Sequence, residues 1–317
     1  MGSDPLFTDG VIVIDKPAGP TSHDVVAVMR RAIRGSSGVD RRSTPKVGHT
    51  GTLDPLASGV LPIVIGKATR LAQFFSAAEK EYDAHLELGV TTTTLDRGGE
   101  VVERVGARRV SELKAEMIEE TVAHFRGTYL QQPPAFSAKK IDGDRAYELA
   151  RRNAPVRLQA VQVTASVLDV VEWRGTALRL RLVCSAGYYV RALADAIGER
   201  LGTGAHLAGL MRTRSGDFTL RDAVGLDVLD RQRAEAAARV IPLAALLPWL
   251  PAITLTPEGA ALASRGGFIG PSHVAAHPDL PKTGRVRLLH PDGRLIAIAE
   301  PRASGVAGLL HPSVVLE

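Results

Sequence analysis

The chain has one cysteine in 317 residues, Cys184. That excludes an intramolecular disulfide and a cysteine-rich zinc site. Cys184 closes an apolar run and is expected to be a small core residue at a strand end. No stretch of about 18 apolar residues is present, so no segment reads as a membrane-spanning helix. The start, Met1-Gly2-Ser3-Asp4-Pro5, lacks the charged and apolar regions of a secretion signal. The expected location is the cytoplasm, with no membrane contact. The nine histidines show no HExxH-type spacing, so no metal is expected.

Cofactor motifs are missing too. Gly66-Lys67-Ala68-Thr69 resembles the end of a phosphate-binding loop, but Leu61 stands where that motif needs glycine, and no Ser or Thr follows the lysine directly. Gly202-Thr203-Gly204 has Leu207 where a dinucleotide fingerprint needs its third glycine. Ser22-His23-Asp24 spells a hydrolase triad, yet consecutive helical residues do not face one another. No cofactor is expected.

With 45% hydrophobic residues, the chain can bury a large core, and its length suits one large domain and a small one. The net charge of +5 is a modest excess, and its distribution is more telling. Arg30, Arg31, Arg34, Arg41, Arg42 and Lys46 have only Asp40 as local counter-charge; Lys139, Lys140, Arg145, Arg151, Arg152 and Arg157 form a second cluster. Such clusters are usually solvated faces. Beside a nucleic-acid site they become phosphate contacts.

Periodicity predicts a strand over 11–15 and a helix over 22–34, opened by a Thr21/Asp24 capping box. A buried strand over 61–65 and a helix over 68–75 follow. Alternation of Ala84, Leu86 and Leu88 with Asp83, His85 and Glu87 predicts a half-buried strand opened by Tyr82. Further helices are expected over 111–125 and up to about 201, and strands over 163–171 and 177–184. Residues 131–157 are polar, basic and proline-containing, and read as a long excursion with a short helix near 147–151. The junction Ser185-Ala186-Gly187 suits a phosphate, with Arg191 adding charge. Pro242, Pro248 and Pro251 mark a domain boundary. Beyond it, Pro291-Asp292-Gly293 between two apolar runs signals a hairpin in a small β module.

The segment from Lys46 to Gly59, KVGHTGTLDPLASG, presents Asp54 among small residues. Gly48, Gly51 and Gly59 permit close backbone approach, and Pro55 turns Asp54 away from helical geometry. A carboxylate held this way can act as nucleophile or base. The plainer alternative is a helix cap with Pro55 at the first position.

Gly48-His49-Thr50-Gly51-Thr52-Leu53-Asp54-Pro55 with Ala57-Ser58-Gly59 resembles the active-site motif of the TruB family of tRNA pseudouridine synthases. Five further strings match in order: 15–22, DKPAGPTS; 66–70, GKATR; 80–82, KEY; 184–191, CSAGYYVR; and 204–207, GAHL. The likeness covers residues 10 to about 218. It implies an α+β pseudouridine synthase fold, a central mixed or antiparallel sheet flanked by helices and loops. That catalytic domain would span 10–240, with 131–157 as an RNA-clamping insertion and 251–317 as a PUA-like RNA-binding module.

The resemblance implies that Asp54 is the catalytic carboxylate. Tyr82 and Tyr189 would support a flipped uracil, and Arg191 would pair with the acid. His49, Lys16 and Leu210 would contact RNA or base, Lys16 with Pro17 would also support the active-site loop, and Lys139, Lys140, Arg145, Arg151 and Arg152 would hold the T stem-loop of tRNA. Tyr188 stands where the family has a smaller residue, so either of the adjacent tyrosines could meet the base. A monomer with no obligatory protein partner is implied. On composition alone, Tyr82 reads equally as a core aromatic, Arg191 as an exposed helix arginine and His49 as solvent-facing. A non-catalytic RNA binder, a two-carboxylate glycoside hydrolase and a guide-RNA-dependent synthase remain open.

Overall fold

A computed structural model describes residues 6–35, 44–105, 107–134, 140–141, 144–145, 158–275, 280–281, 283–302 and 308–317. Strand β1 (Gly10–Lys16) leads to α1 (Ser22–Arg34), where the Thr21 hydroxyl accepts from the Asp24 amide and Asp24 accepts from the Thr21 amide. The capping box is therefore present. Next come β2 (Val47–His49) and β3 (Ala57–Ile65), then a 3₁₀ segment (Gly66–Leu71) and α2 (Ala72–Ala77), which together replace the single helix expected there. β4 (Lys80–Leu88) alternates buried and outward residues as expected, though Lys80 rather than Tyr82 opens it.

After the β5 (Val90–Thr92) and β6 (Val101–Arg104) ribbon, the expected helix over 111–125 is two, α3 (Ala107–Ser111) and α4 (Ala115–Ala123). Lys114 is extended between them, and Val110 and Leu113 turn inward. β7 (Gly127–Gln131) precedes a short hairpin, β8 (Lys140–Ile141) and β9 (Asp144–Arg145). β10 (Val161–Arg174), β11 (Ala177–Cys184), α5 (Val190–Leu201) and β12 (Ala205–Ser215) complete the middle of the chain. The remainder of this layer is β13 (Phe218–Thr219), β14 (Ala223–Gly225), α6 (Val228–Arg231), α7 (Arg233–Ala238) and β15 (Ile241–Pro242).

The main sheet runs β14-β1-β3-β12-β4-β11-β10-β7, with β2, β13 and β15 attached at its margins. It is mixed: β1/β14 and β3/β12 pair parallel, and the other neighbours on that path pair antiparallel. β12, in the middle, has no counterpart among the sequence expectations. His206, Arg212 and Ser215 occupy buried positions on it, so its apolar alternation is broken.

The two faces of β1 explain its nearly continuous apolar sequence. Ile12 and Ile14 join a core with α1 (Val25, Met29) and α5 (Leu193, Ile197). Val11 and Val13 face the other way, against Leu246, Leu247, Leu295, Ile298 and Leu316. This second core ties in a four-stranded C-terminal sheet, β16 (Ala252–Thr254), β17 (Val286–Leu289), β18 (Leu295–Pro301) and β19 (Leu310–Val315), with α8 (Pro257–Ala263) beside it. The expected hairpin at 291–293 joins β17 to β18.

Candidate active site

The Asp54 loop is anchored residue by residue. The Leu53 amide donates to the Ser22 hydroxyl at 2.8 Å, and that hydroxyl donates back to the Leu53 carbonyl at 3.0 Å. The Gly19 amide donates to the Pro55 carbonyl at 2.8 Å, and the Ala57 amide to the Asp54 carbonyl at 3.0 Å. Residues 54–57 thus form a turn with proline second, a favoured arrangement. The turn enters β3 rather than a helix, which removes the helix-cap alternative. Gly59 has φ +96°, and a Cβ there would lie 2.3 Å from the Arg212 carbonyl oxygen. Only glycine fits without strain.

The Asp54 carboxylate lies 2.9 Å from Arg191 Nε, with its side chain 36% exposed against 9% for the arginine. Asp96 approaches the same nitrogen at 3.7 Å, and Arg191 Nη1 donates to the Thr94 carbonyl at 3.0 Å. Arg191 is thereby committed to the two carboxylates. The phosphate role suggested for it by the helix start is overturned, because its side chain is turned inward and engaged. A charge-assisted contact of this kind holds the acid's orientation more firmly than a neutral hydrogen bond.

Asp54 opens onto a cavity of about 490 Å³ lined by Tyr82, Tyr188, Tyr189, Arg191, Leu210 and Arg212 among others. Tyr82 is buried, and burial pushes its phenol above its ordinary pKa. The two adjacent tyrosines divide. Tyr188 is buried, its hydroxyl 2.7 Å from that of Tyr129 and the two rings edge to face. Tyr189 is half-buried at the cavity, and its backbone is gripped by the Gln131 side chain, amide to Oε1 at 2.8 Å and Nε2 to carbonyl at 3.0 Å. Of the pair, Tyr189 is the less buried, and both line the cavity.

Of the two roles expected for Lys16, the side chain takes the supporting one rather than an RNA contact. It is fully buried, and its ammonium donates to the carbonyls of Pro17 and Pro20 at 2.9 and 2.7 Å. It braces the turn beneath Asp54. Burial pushes its pKa down to about 8, partly offset by Asp54. Sequence reading also missed Arg212, Lys80, Asp96 and Gln131 as parts of this site. Arg212 is 1% exposed and donates to the carbonyls of Val60 at 2.7 Å and Gly51 at 3.1 Å. Lys80 donates to the carbonyls of Ser76 and Ala78, each at 2.5 Å, and burial followed by the Arg212 charge lowers its pKa to about 8. Asp96 had one local signal, a turn in which its carboxylate accepts from Thr94 and Gly98.

His49 lines a different cavity, of about 780 Å³, with Arg30, Arg34 and Lys46. Burial, then the nearby charges of Arg212 and His23, keep its imidazole below the ordinary pKa. Arg41, Arg42, Lys139, Arg151, Arg152, Arg157 and the helix expected near 147–151 lie outside the described residues. Lys140 and Arg145 are described as facing backbone positions of the β8/β9 hairpin. The root of the excursion is pinned where Gln132 Nε2 donates to the Leu158 carbonyl at 2.6 Å. Gln131 itself ends β7 rather than opening a loop.

A turn-mounted carboxylate, a buried arginine holding it and an aromatic-lined cavity on a mixed sheet make a site able to set a planar ring against a reactive acid. Residues 40–190 match the model for the TruB family pseudouridylate synthase N-terminal domain, and 191–248 that for the tRNA pseudouridylate synthase B C-terminal domain. The tRNA pseudouridine synthase B of Solibacter usitatus is 42% identical over 311 residues, 97% of this chain and 100% of that protein. The protein of the same name from Burkholderia mallei is 42% identical over 308 residues, 96% of this chain and 95% of that one. Among solved structures, an H/ACA RNP bound to a substrate RNA containing 2'-deoxyuridine aligns with a TM-score of 0.70 at 25% identity, covering 99% of this chain and 86% of the other. A Cbf5-Nop10-Gar1 complex aligns with a TM-score of 0.69 at 26% identity, covering 97% and 85%. The chain belongs to the TruB family of pseudouridylate synthases, and it is an isomerase.

Proposed function

We propose that the chain isomerises the T-loop uridine of tRNA, U55, to pseudouridine, with Asp54 acting on the nucleoside. The observation that carries the assignment of Asp54 is its ion pair with Arg191 at the opening of a cavity lined by Tyr82, Tyr189 and Leu210. The reaction breaks the C1′–N1 bond, turns the ring and rejoins it through C5. It has no redox step. Extracting the base from the RNA stack costs a few kcal/mol. Stacking on an aromatic returns about 1 to 3 kcal/mol, and the tyrosines that line the cavity, Tyr82 and Tyr189, are assigned to it.

In this reading 10–240 is the catalytic domain, 131–157 grips the T stem-loop, and 251–317 is a PUA-like RNA-binding module. His49, Arg30, Arg34 and Lys46 line the groove that follows the RNA backbone. The enzyme works as a monomer in the cytoplasm, without guide RNA or protein partner. Incubating unmodified tRNA transcript with the purified chain and mapping pseudouridine by chemical labelling tests this. Conversion is expected on bare tRNA, and Asp54→Asn should abolish it while RNA still binds. Release of free uracil or ribose would instead identify a hydrolase. Removing 133–157, which spares the Gln131 and Gln132 contacts, should weaken RNA binding sharply and leave the core folded.

A further inference from the structure

The Asp54 cavity carries more positive charge than its carboxylates neutralise. Asp54 and Asp96 both face Arg191. Lys80 and Arg212 line the same cavity, and Lys16 lies close behind Asp54. Among the described residues none of these three is ion-paired. Backbone carbonyls solvate them instead: Pro17 and Pro20 for Lys16, Ser76 and Ala78 for Lys80, Val60 and Gly51 for Arg212. All three residues are at most 6% exposed. Taking unpaired cations out of water opposes folding, so their retention around one cavity points to use there.

Their position indicates which part of a nucleoside they serve. Arg212 on β12 pairs in register with Tyr82 on β4, and Leu210, two residues earlier, lies on the same face of β12. Tyr82, Leu210 and Arg212 thus share one wall of the cavity, and Arg212 faces the Tyr82 hydroxyl. Lys80, two residues before Tyr82, extends that wall. This is the aromatic, base-accepting side. Asp54 and Arg191 form the other.

We propose, resting on the pseudouridine reading above, that Arg212 and Lys80 stabilise negative charge developing on the uracil ring. The requirement is common to every route open to Asp54. If the carboxylate adds to C6, its oxygen pair makes the new bond and the C5=C6 pair moves toward C5 and O4. If it attacks C1′, an O–C1′ bond forms as C1′–N1 breaks, and that pair leaves with N1. If it removes the C2′ proton, that C–H pair becomes C1′=C2′ while the C1′–N1 pair again leaves with N1. The ring gains an electron pair each time, before C5 joins C1′, C5 loses its proton and N1 gains one. Fixed cations in a dry cavity stabilise such a charge without reorganising as it forms.

The test uses the intact chain and full tRNA under single-turnover conditions at saturating enzyme. Lys80→Met, Lys80→Gln and Arg212→Lys are each assayed on tRNA carrying uridine or 5-fluorouridine at the target. Fluorine makes the ring a better carrier of negative charge; disappearance of the parent nucleoside is followed, because C5 then has no proton to lose. Removing the Lys80 charge should slow uridine conversion about 10²-fold, with RNA affinity within twofold of wild type. Arg212→Lys, which keeps the charge but gives up the forked contact to the Val60 and Gly51 carbonyls, should lose less of the rate than the Lys80 variants do. The deficit of each Lys80 variant should shrink severalfold on 5-fluorouridine, whereas Asp54→Asn stays inactive on both. Equal deficits on the two substrates would overturn the proposal, as would weakened binding with an unchanged rate, the signature of a phosphate contact. Both Lys80 variants are made so that one folded, charge-free protein is available. Failure of wild type on uridine tRNA would refute the function instead.

Discussion

The two cavities recruit similar numbers of basic side chains and hold them in opposite ways. Around Asp54, Lys80, Arg191 and Arg212 are buried and tied to carbonyls or carboxylates. In the His49 groove, Arg30 and Lys46 are exposed and Arg34 is half-buried. Exposed charges act through water and are screened within about 8 Å at physiological salt. Buried charges are screened far less, at the expense of desolvation. One arrangement suits a reacting ring that must meet a fixed field; the other suits a polyanion whose contacts form and break.

The largest break in this contrast is expected at Arg191. Arg191→Gln should reduce the single-turnover rate by about 10²- to 10³-fold, the range found when a preorganised donor is lost, with little change in RNA affinity. Next is a backbone test. Gly59→Ala places a methyl against the Arg212 carbonyl at a positive φ, and thermal unfolding should report about 2 to 3 kcal/mol of lost stability.

Lys80 gives a pH test. Its folded pKa, about 8, lies below its ordinary 10.5 because of burial and the Arg212 charge; Cys184 opposes this weakly, and the surrounding carbonyls complete its contacts. Between these values the unfolded chain binds more protons, so the contribution of Lys80 to stability rises with pH across that window. The Tm of wild type minus that of Lys80→Met should therefore increase from pH 8 to 10.5, and a flat difference would contradict the burial argument. The smallest effects belong to the groove. Arg30→Ala and Lys46→Ala should each weaken RNA binding a few-fold and reduce the salt slope by roughly one, leaving the saturating rate intact.

Local signals carried much of this fold. The capping box placed α1, strict alternation placed β4, and the apolar run ending at Cys184 placed β11. β12 was illegible because its buried positions include charged and polar side chains, and the partners of Arg212 and His206 are Gly51, Val60 and Val90, far away in the chain. The same distance hid half of the site. Asp54 and Arg191 could both be singled out from a family likeness, with the glycine- and proline-bounded turn as added support for Asp54. Arg212 sits in a short basic run, Met211-Arg212-Thr213-Arg214, that reads as a solvated strand end. Its burial follows from β12 threading between β3 and β4, a tertiary fact. Lys16 shows the converse: beside a Pro/Gly turn it could serve the RNA or brace the loop, and the turn folds back to cover it.

The placement of β12 also has a consequence for biogenesis. β3 and β4 are made early, yet they do not pair with each other; one edge of each waits for β12, about 150 residues downstream of β3 and about 125 downstream of β4. A nascent chain halted before Ala205 therefore carries two bare strand edges and an Asp54 loop without its Arg212 tether. The ribosome must release nearly two-thirds of the polypeptide before the reaction centre can close, and during that interval the exposed edges are where misassembly threatens.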